Sequence, residues 1–243
     1  MPQIELNGFE TDWRTVRDLA VFPNSPDLRE RSEMLNALRL KIVDVPDNEC
    51  VEITAATLYS LIAGPGQREL GGLGQEASAK GYCAGIVLAS LYLMHVHGDL
   101  HPKFREPSLN KAWWYASEFV RKVKFRADEA TQEVVLNHSI DEIKTYWRDF
   151  KPVAHLWAAR VMTHVLLDKP SFPRSNKELV AFLGMAKHFY EFGVSTYPHR
   201  TKNPEPYLDS GQSWAVPGHV KSIPIPSNIT PDLLLESVQN YRI

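Results

Sequence analysis

The amino-acid sequence predicts an all-α fold: a single multi-helix globular domain followed by a proline-rich extended C-terminal arm and a short terminal helix. Three observations carry this prediction. Apolar residues recur in steps of three and four over most of the chain. Two Ser-x-x-Glu capping boxes, Ser139/Glu142 and Ser175/Glu178, each stand at the head of such a run. Seven of the 17 prolines fall after Tyr197, in a stretch that can hold neither a long helix nor a central strand.

Composition sets the wider limits. The chain has 243 residues, 44% hydrophobic and 23% charged, with a formal net charge of −2. A disordered chain would carry fewer apolar residues and a larger charge imbalance. Twenty-seven basic residues against 29 acidic ones leave no global attraction for phosphate, so nucleic acid is not an expected partner. Cys50 and Cys83 are too few and too widely spaced for a disulfide framework or a CxxC site. Residues 1–10 show no signal peptide, and the apolar run Gly81–Val96 falls short of the ~20 residues of a membrane span. The expected setting is therefore the cytoplasm, with no membrane partner.

Taken in order, the elements begin after an N-terminal segment, 1–24. Ser25-Pro26 starts a predicted helix whose apolar face is Leu28, Met34/Leu35, Leu38 and Ile42, closed by Pro46. A second helix is expected over Ile53–Ala63, stopped by Gly64-Pro65-Gly66 and either capped by Thr54 or preceded by a briefly extended Val51-Glu52-Ile53 start, with the helix favoured. The glycine-rich loop 64–74 then feeds a long helix from Gln75 to about His97. Along it Ala77, Gly81, Gly85 and Ala89 make a small-residue stripe suited to a close helix crossing. Ser108 caps a helix running to about Arg126. Ser139 opens another, with Ile140, Ile143, Trp147, Phe150, Ala154, Trp157, Val161 and Val165 as its ladder. Pro152 predicts a kink there, or two helices meeting near Lys151. Ser175 caps a further helix ending near Gly193. These helices form the core domain, 25–197.

The arm, 198–229, is unlike a solvated linker, since it carries Tyr207, Leu208, Trp214, Val216, Val220, Ile223 and Ile225. Such a segment is expected to dock, on its own core or on a second copy. The terminal helix, 230–243, starts at Thr230-Pro231 with Leu233, Leu234 and Val238 as its apolar face. Trp214, Leu233 and Leu234 are accordingly the candidate partner-binding residues.

The candidate metal ligands are His95, His97, Asp99 and His101, three imidazoles and a carboxylate within seven residues, a set suited to Zn²⁺. On a helix His95 and His97 would point about 200° apart, so convergence requires the helix to end first. The competing assignment is histidines at a helix C-terminus, where the dipole favours them. The same stretch, His97-Gly98-Asp99-Leu100-His101-Pro102, resembles the catalytic loop of the aminoglycoside phosphotransferase and related kinase-like families. In those families the Asp is the base and an Asn five residues on holds Mg²⁺. Here that position is Phe104, and the Gly-rich strand–loop–strand and Asp-Phe-Gly-like elements are missing, so no role is carried over.

Other candidates have bland counterparts. The loop Gly64–Gly74 could cradle an anion with Arg68, yet it has no preceding strand and no Gly-Lys-Ser/Thr. Arg121, Lys122, Lys124 and Arg126, beside Trp113, Trp114 and Phe119, could bind single-stranded nucleic acid. They equally describe a solvated helix end followed by Asp128, Glu129 and Glu133. His155 and His164, nine residues apart, belong on opposite helix faces. The functional expectation is a protein acting through a protein partner or self-association. The alternatives are a metal-dependent hydrolase built on His95–His101 and, more weakly, nucleic-acid binding through Arg121–Arg126.

Overall fold

The structure, a computed structural model, describes residues 3–6, 9–14, 39–42, 52–54, 57, 61, 74–97, 107–126, 133–168, 172–196, 225–236 and 240–242. It is an all-α fold. The long helices are α1 (Gln75–Val96), α2 (Leu109–Lys122), α3 (Ile140–Phe150), α4 (Ala154–Asp168) and α5 (Asn176–Thr196), and a one-turn-and-a-half helix, α6, spans Pro231–Glu236. Strands of two to four residues fringe them: β1 (Gln3–Leu6), β2 (Phe9–Asp12), β3 (Arg39–Ile42), β4 (Glu52–Thr54), β5 (Lys124–Arg126), β6 (Glu133–Val134) and β7 (Asn240–Arg242).

Helix α1 is the axis of the molecule. From Gly81 to Met94 every residue is buried, because α2, α3, α4 and α6 all pack against it. Its apolar run is therefore a core helix in this fold. No side chain caps its start at Gly74; the Glu76–Lys80 pair at 2.7 Å supports the first turns instead. That partnership also raises the Lys80 amine above its usual value, the hydrogen bond to Glu76 being the main cause.

Two glycines let α4 approach. A Cβ on Gly81 would lie 2.5 Å from Trp157 Cε2, and one on Gly85 would lie 2.5 Å from the Trp157 carbonyl carbon. The small-residue stripe is thus a helix crossing. Packing at this contact offsets the roughly 1 kcal/mol that each helical glycine costs.

The remaining helices start as their sequences direct. Ser108 Oγ accepts from Lys111 N at 3.2 Å, Ser139 Oγ from Glu142 N at 3.3 Å, and Ser175 Oγ from Glu178 N at 3.3 Å. Glu178 returns a bond one residue early, its Oε2 accepting from Arg174 N at 2.6 Å. Ser175→Ala should consequently lower stability by about 1 kcal/mol, read as a fall in the denaturant midpoint with unchanged slope. A midpoint equal to the wild type would show the cap to be dispensable. Pro152 divides the Ile140–Val165 ladder as expected: α3 stops at Phe150, a single 3₁₀ turn covers Lys151–Val153, and α4 starts at Ala154.

Several boundaries differ from the sequence-based expectation. Arg39–Ile42 is a strand, where the apolar spacing from Ser25 predicts a continuing helix; Arg-Leu-Lys-Ile alternates with period two and pairs antiparallel with β1 and β4. Glu52–Thr54 is strand β4, which matches the extended alternative for the start of that segment rather than the favoured helix, in keeping with its β-branched Ile53 and Thr54. The helix from Ser108 ends at Lys122 rather than Arg126, because Lys124-Phe125-Arg126 forms β5, with Lys124 exposed and Phe125 buried. Ile140, counted in the buried ladder, is 37% exposed at the first turn of α3.

The sheets have the orders β2-β1-β3-β4 and β6-β5-β7, with β7 parallel to β5. Trp13, from the N-terminal segment, is buried in the main core and donates from Nε1 to the Leu166 carbonyl at 3.4 Å. Residues 225–236 pack in cis. Ile229, Leu233 and Leu234 are buried, Tyr115 Oη donates to Asp232 Oδ1 at 3.1 Å, and Asn228 Nδ2 donates to Glu178 Oε1 at 2.5 Å. Burial, then the neighbouring Asp232, raises the Tyr115 hydroxyl far above its usual range, so it stays protonated and donates. The rest of the arm, 198–224, lies outside the described residues, as does the Ser25–Leu38 stretch.

Candidate functional site

Two places in the fold concentrate chemistry. The first is a polar cluster buried between α1 and α4. Tyr82 projects from α1 and touches Phe119, Phe125 and Trp157 with ring centroids 6.0 to 6.5 Å away. Its hydroxyl lies 3.2 Å from His164 Nδ1, and Arg160 Nε lies 3.4 Å from His164 Nε2. A guanidinium nitrogen can only donate, so Nε2 accepts and the imidazole proton belongs on Nδ1, facing the Tyr82 oxygen. Arg160 also lies over the Trp157 ring, 5.7 Å from its centroid. Arg160 and His164 sit one turn apart on α4, which is why they share a face. The cluster is nearly closed to solvent, Arg160 being 7% and His164 8% exposed. It therefore locks α4 onto α1 with polar groups whose partners are built in.

His155 follows the predicted split. It sits on the other face of α4, against Phe189 and Phe192 of α5 at 5.8 and 4.5 Å. Cys83 is buried on α1, and burial drives its thiol well above the usual range, so it behaves as a small hydrophobe.

The second place is the outer face of α2. Asn110, Lys111, Trp114, Arg121 and Lys122 are exposed there, and Glu118 is partly so. Trp114 is 49% exposed, a large value for a tryptophan. Two more exposed apolar side chains, Val135 at 82% and Ile140 at 37%, flank the loop from β6 to α3. That loop is tied to α2 by Ser117 Oγ donating to the His138 carbonyl at 2.6 Å. Ser117 is three residues from Trp114 and hence its neighbour along the helix.

The structure divides the sequence candidates. His95 is exposed on the last turn of α1, whereas His97, the C-cap residue, is buried. The two imidazoles are thus parted between solvent and core. Asp99 and His101 lie outside the described residues, as do Cys50, Trp214 and the loop 64–73. Among the described residues no three His, Cys, Asp or Glu side chains converge as metal ligands. Leu233 and Leu234 are buried in this chain's own core.

The basic run is laced with acids: Arg121 pairs with Glu118, and Lys124 lies 3.4 Å from Glu133. Phe119 is buried, and Trp113 is half-buried with Lys144 over its ring at 5.4 Å. Of the aromatics beside that run, Trp114 is the exposed one. Its signal is present in the sequence: it falls in register with Asn110, Lys111, Glu118 and Arg121, the polar stripe of an amphipathic helix. The Tyr82–His164–Arg160 cluster has no such signal, since Tyr82 is separated from the others by half the length of the core.

Compared with protein-family models, with curated proteins and with solved structures, the chain matches none.

Proposed function

We propose that this chain is a cytoplasmic helical protein that acts through a protein partner or through self-association, with the outer face of α2 as its contact surface. The observation that carries this reading is the half-exposed Trp114 in the polar stripe of α2. An indole in water forgoes burial worth a few kcal/mol. Tryptophan is also among the side chains that dominate binding energy at protein interfaces. The charges beside it on the helix, Lys111, Glu118 and Arg121, give the indole a polar rim, which is the anatomy of a non-obligate interface.

Amine cross-linking of the full chain in cell extract, mapped by mass spectrometry, tests the reading. Inter-chain links should concentrate on Lys111, Lys122 and Lys144, and Trp114→Ala should reduce them at least tenfold. Links spread evenly over the surface lysines, or unchanged by Trp114→Ala, would overturn it.

A further inference from the structure

We infer that the partner seated on the α2 face is a second copy of this chain, docked through α2 in antiparallel two-fold symmetry. The inference rests on the contact surface proposed above and adds the identity of its occupant. It comes from the placement of charge about Trp114. Lys111 precedes the indole by three residues and Glu118 follows it by four. At about 100° and 1.5 Å per residue, Lys111 lies about 60° and Glu118 about 40° to the same side of Trp114. Along the axis they stand about 4.5 Å before it and about 6 Å after it.

A two-fold axis beside Trp114, normal to the plane of the two helices, reverses position along the helix and preserves the side. It carries each Glu118 to within about 1.5 Å, measured along the axis, of the other copy's Lys111. Both indoles then meet at the centre, and two Lys–Glu contacts form for one symmetry operation. A parallel pairing would instead leave each Lys111 level with the other copy's Lys111 but on the opposite side of the seam, and would bring no Lys–Glu pair together. The face is therefore self-complementary in one orientation only. Glu118 already pairs with Arg121 of its own chain, so in the dimer it sits between two cations. A face about 21 Å long, the length of the 14-residue α2, belongs among small interfaces, so the dimer is a weak, reversible one.

Sedimentation velocity of the purified full chain over a wide concentration range tests this. The wild type should pass from monomer to dimer mass as concentration rises, and Trp114→Ala should weaken the dimer at least tenfold. Lys111→Glu and Glu118→Lys should each weaken it several-fold. The double variant, which restores opposite charges across the axis, should return to within about twofold of the wild type. Circular dichroism melts confirm that each variant is folded. A wild type that stays monomeric at every concentration, or a double variant no stronger than the singles, overturns the inference. Should the chain stay monomeric while Trp114-dependent cross-links to a different protein persist in extract, the second copy is wrong and the contact surface stands. Loss of both removes both.

Discussion

Gly85→Leu is expected to destabilise the protein by about 3 kcal/mol or more, the upper end of overpacking costs. A Cβ at this position falls 2.5 Å from the carbonyl carbon of Trp157 and 2.8 Å from the nitrogen of Ala158. Both are backbone atoms of a buried helix, so they cannot turn aside as a flexible side chain could. Leucine adds three further carbons in the same direction, and α4 must lift away from α1. That movement would also open the Tyr82–His164 contact at 3.2 Å, which spans the same two helices. Gly74→Ala is the matched control. Gly74 has an extended backbone, and a Cβ there would meet nothing within 4 Å, so its stability should stay within about 0.5 kcal/mol of the wild type. Equal urea midpoints for Gly85→Leu and the wild type would show that the crossing is not where the structure places it.

Truncation after Tyr197 should cost several kcal/mol. It removes Ile229, Leu233 and Leu234, all buried, and each such side chain contributes about 1.5–3 kcal/mol. It also strips Asn228 from the buried Glu178 carboxylate and Asp232 from Tyr115, and it takes β7 from the edge of β5. For a chain of this size each kcal/mol lowers Tm by about 2–4 °C. Differential scanning calorimetry should therefore show a fall of about 10 °C or more, accompanied by new binding of a hydrophobic dye. A truncated chain that melts within a degree or two of the full one would mean that residues 225–236 add nothing to the core.

Much of the helical architecture was legible because its signals are local. Ser108, Ser139 and Ser175 cap the helices they precede, and Pro152 parts α3 from α4. The glycines of α1 mark the crossing with Trp157. The short strands were not legible, because tetrapeptides such as Arg39–Ile42 satisfy both a helical and a strand period until a partner strand decides. Ile140 misled for a related reason: its step to Ile143 fits a helix face, yet at the first turn that face has run past its cover.

The two chemical clusters differ in the same way. Trp114 announces itself by standing in a polar helical stripe. Tyr82, Arg160 and His164 meet only because α4 packs along α1, a tertiary fact with no counterpart in local spacing. The histidine-rich segment shows the reverse hazard. Closeness in sequence suggested one site, but the turn at His97 sends one imidazole inward and leaves the other outside.

Because α1 is enclosed on all sides, its cladding is gathered from distant parts of the chain, and this bears on how the molecule folds. Trp13 reaches Leu166 across 153 residues, and Tyr115 reaches Asp232 across 117. Helices α4 and α5 are near neighbours in sequence and can associate early, whereas these long closures come at a larger entropic cost and set the pace. Until they form, part of a helix apolar around its whole circumference faces water. Refolding yield should therefore depend on dilution far more than on temperature, since colliding intermediates present this bare cylinder to one another.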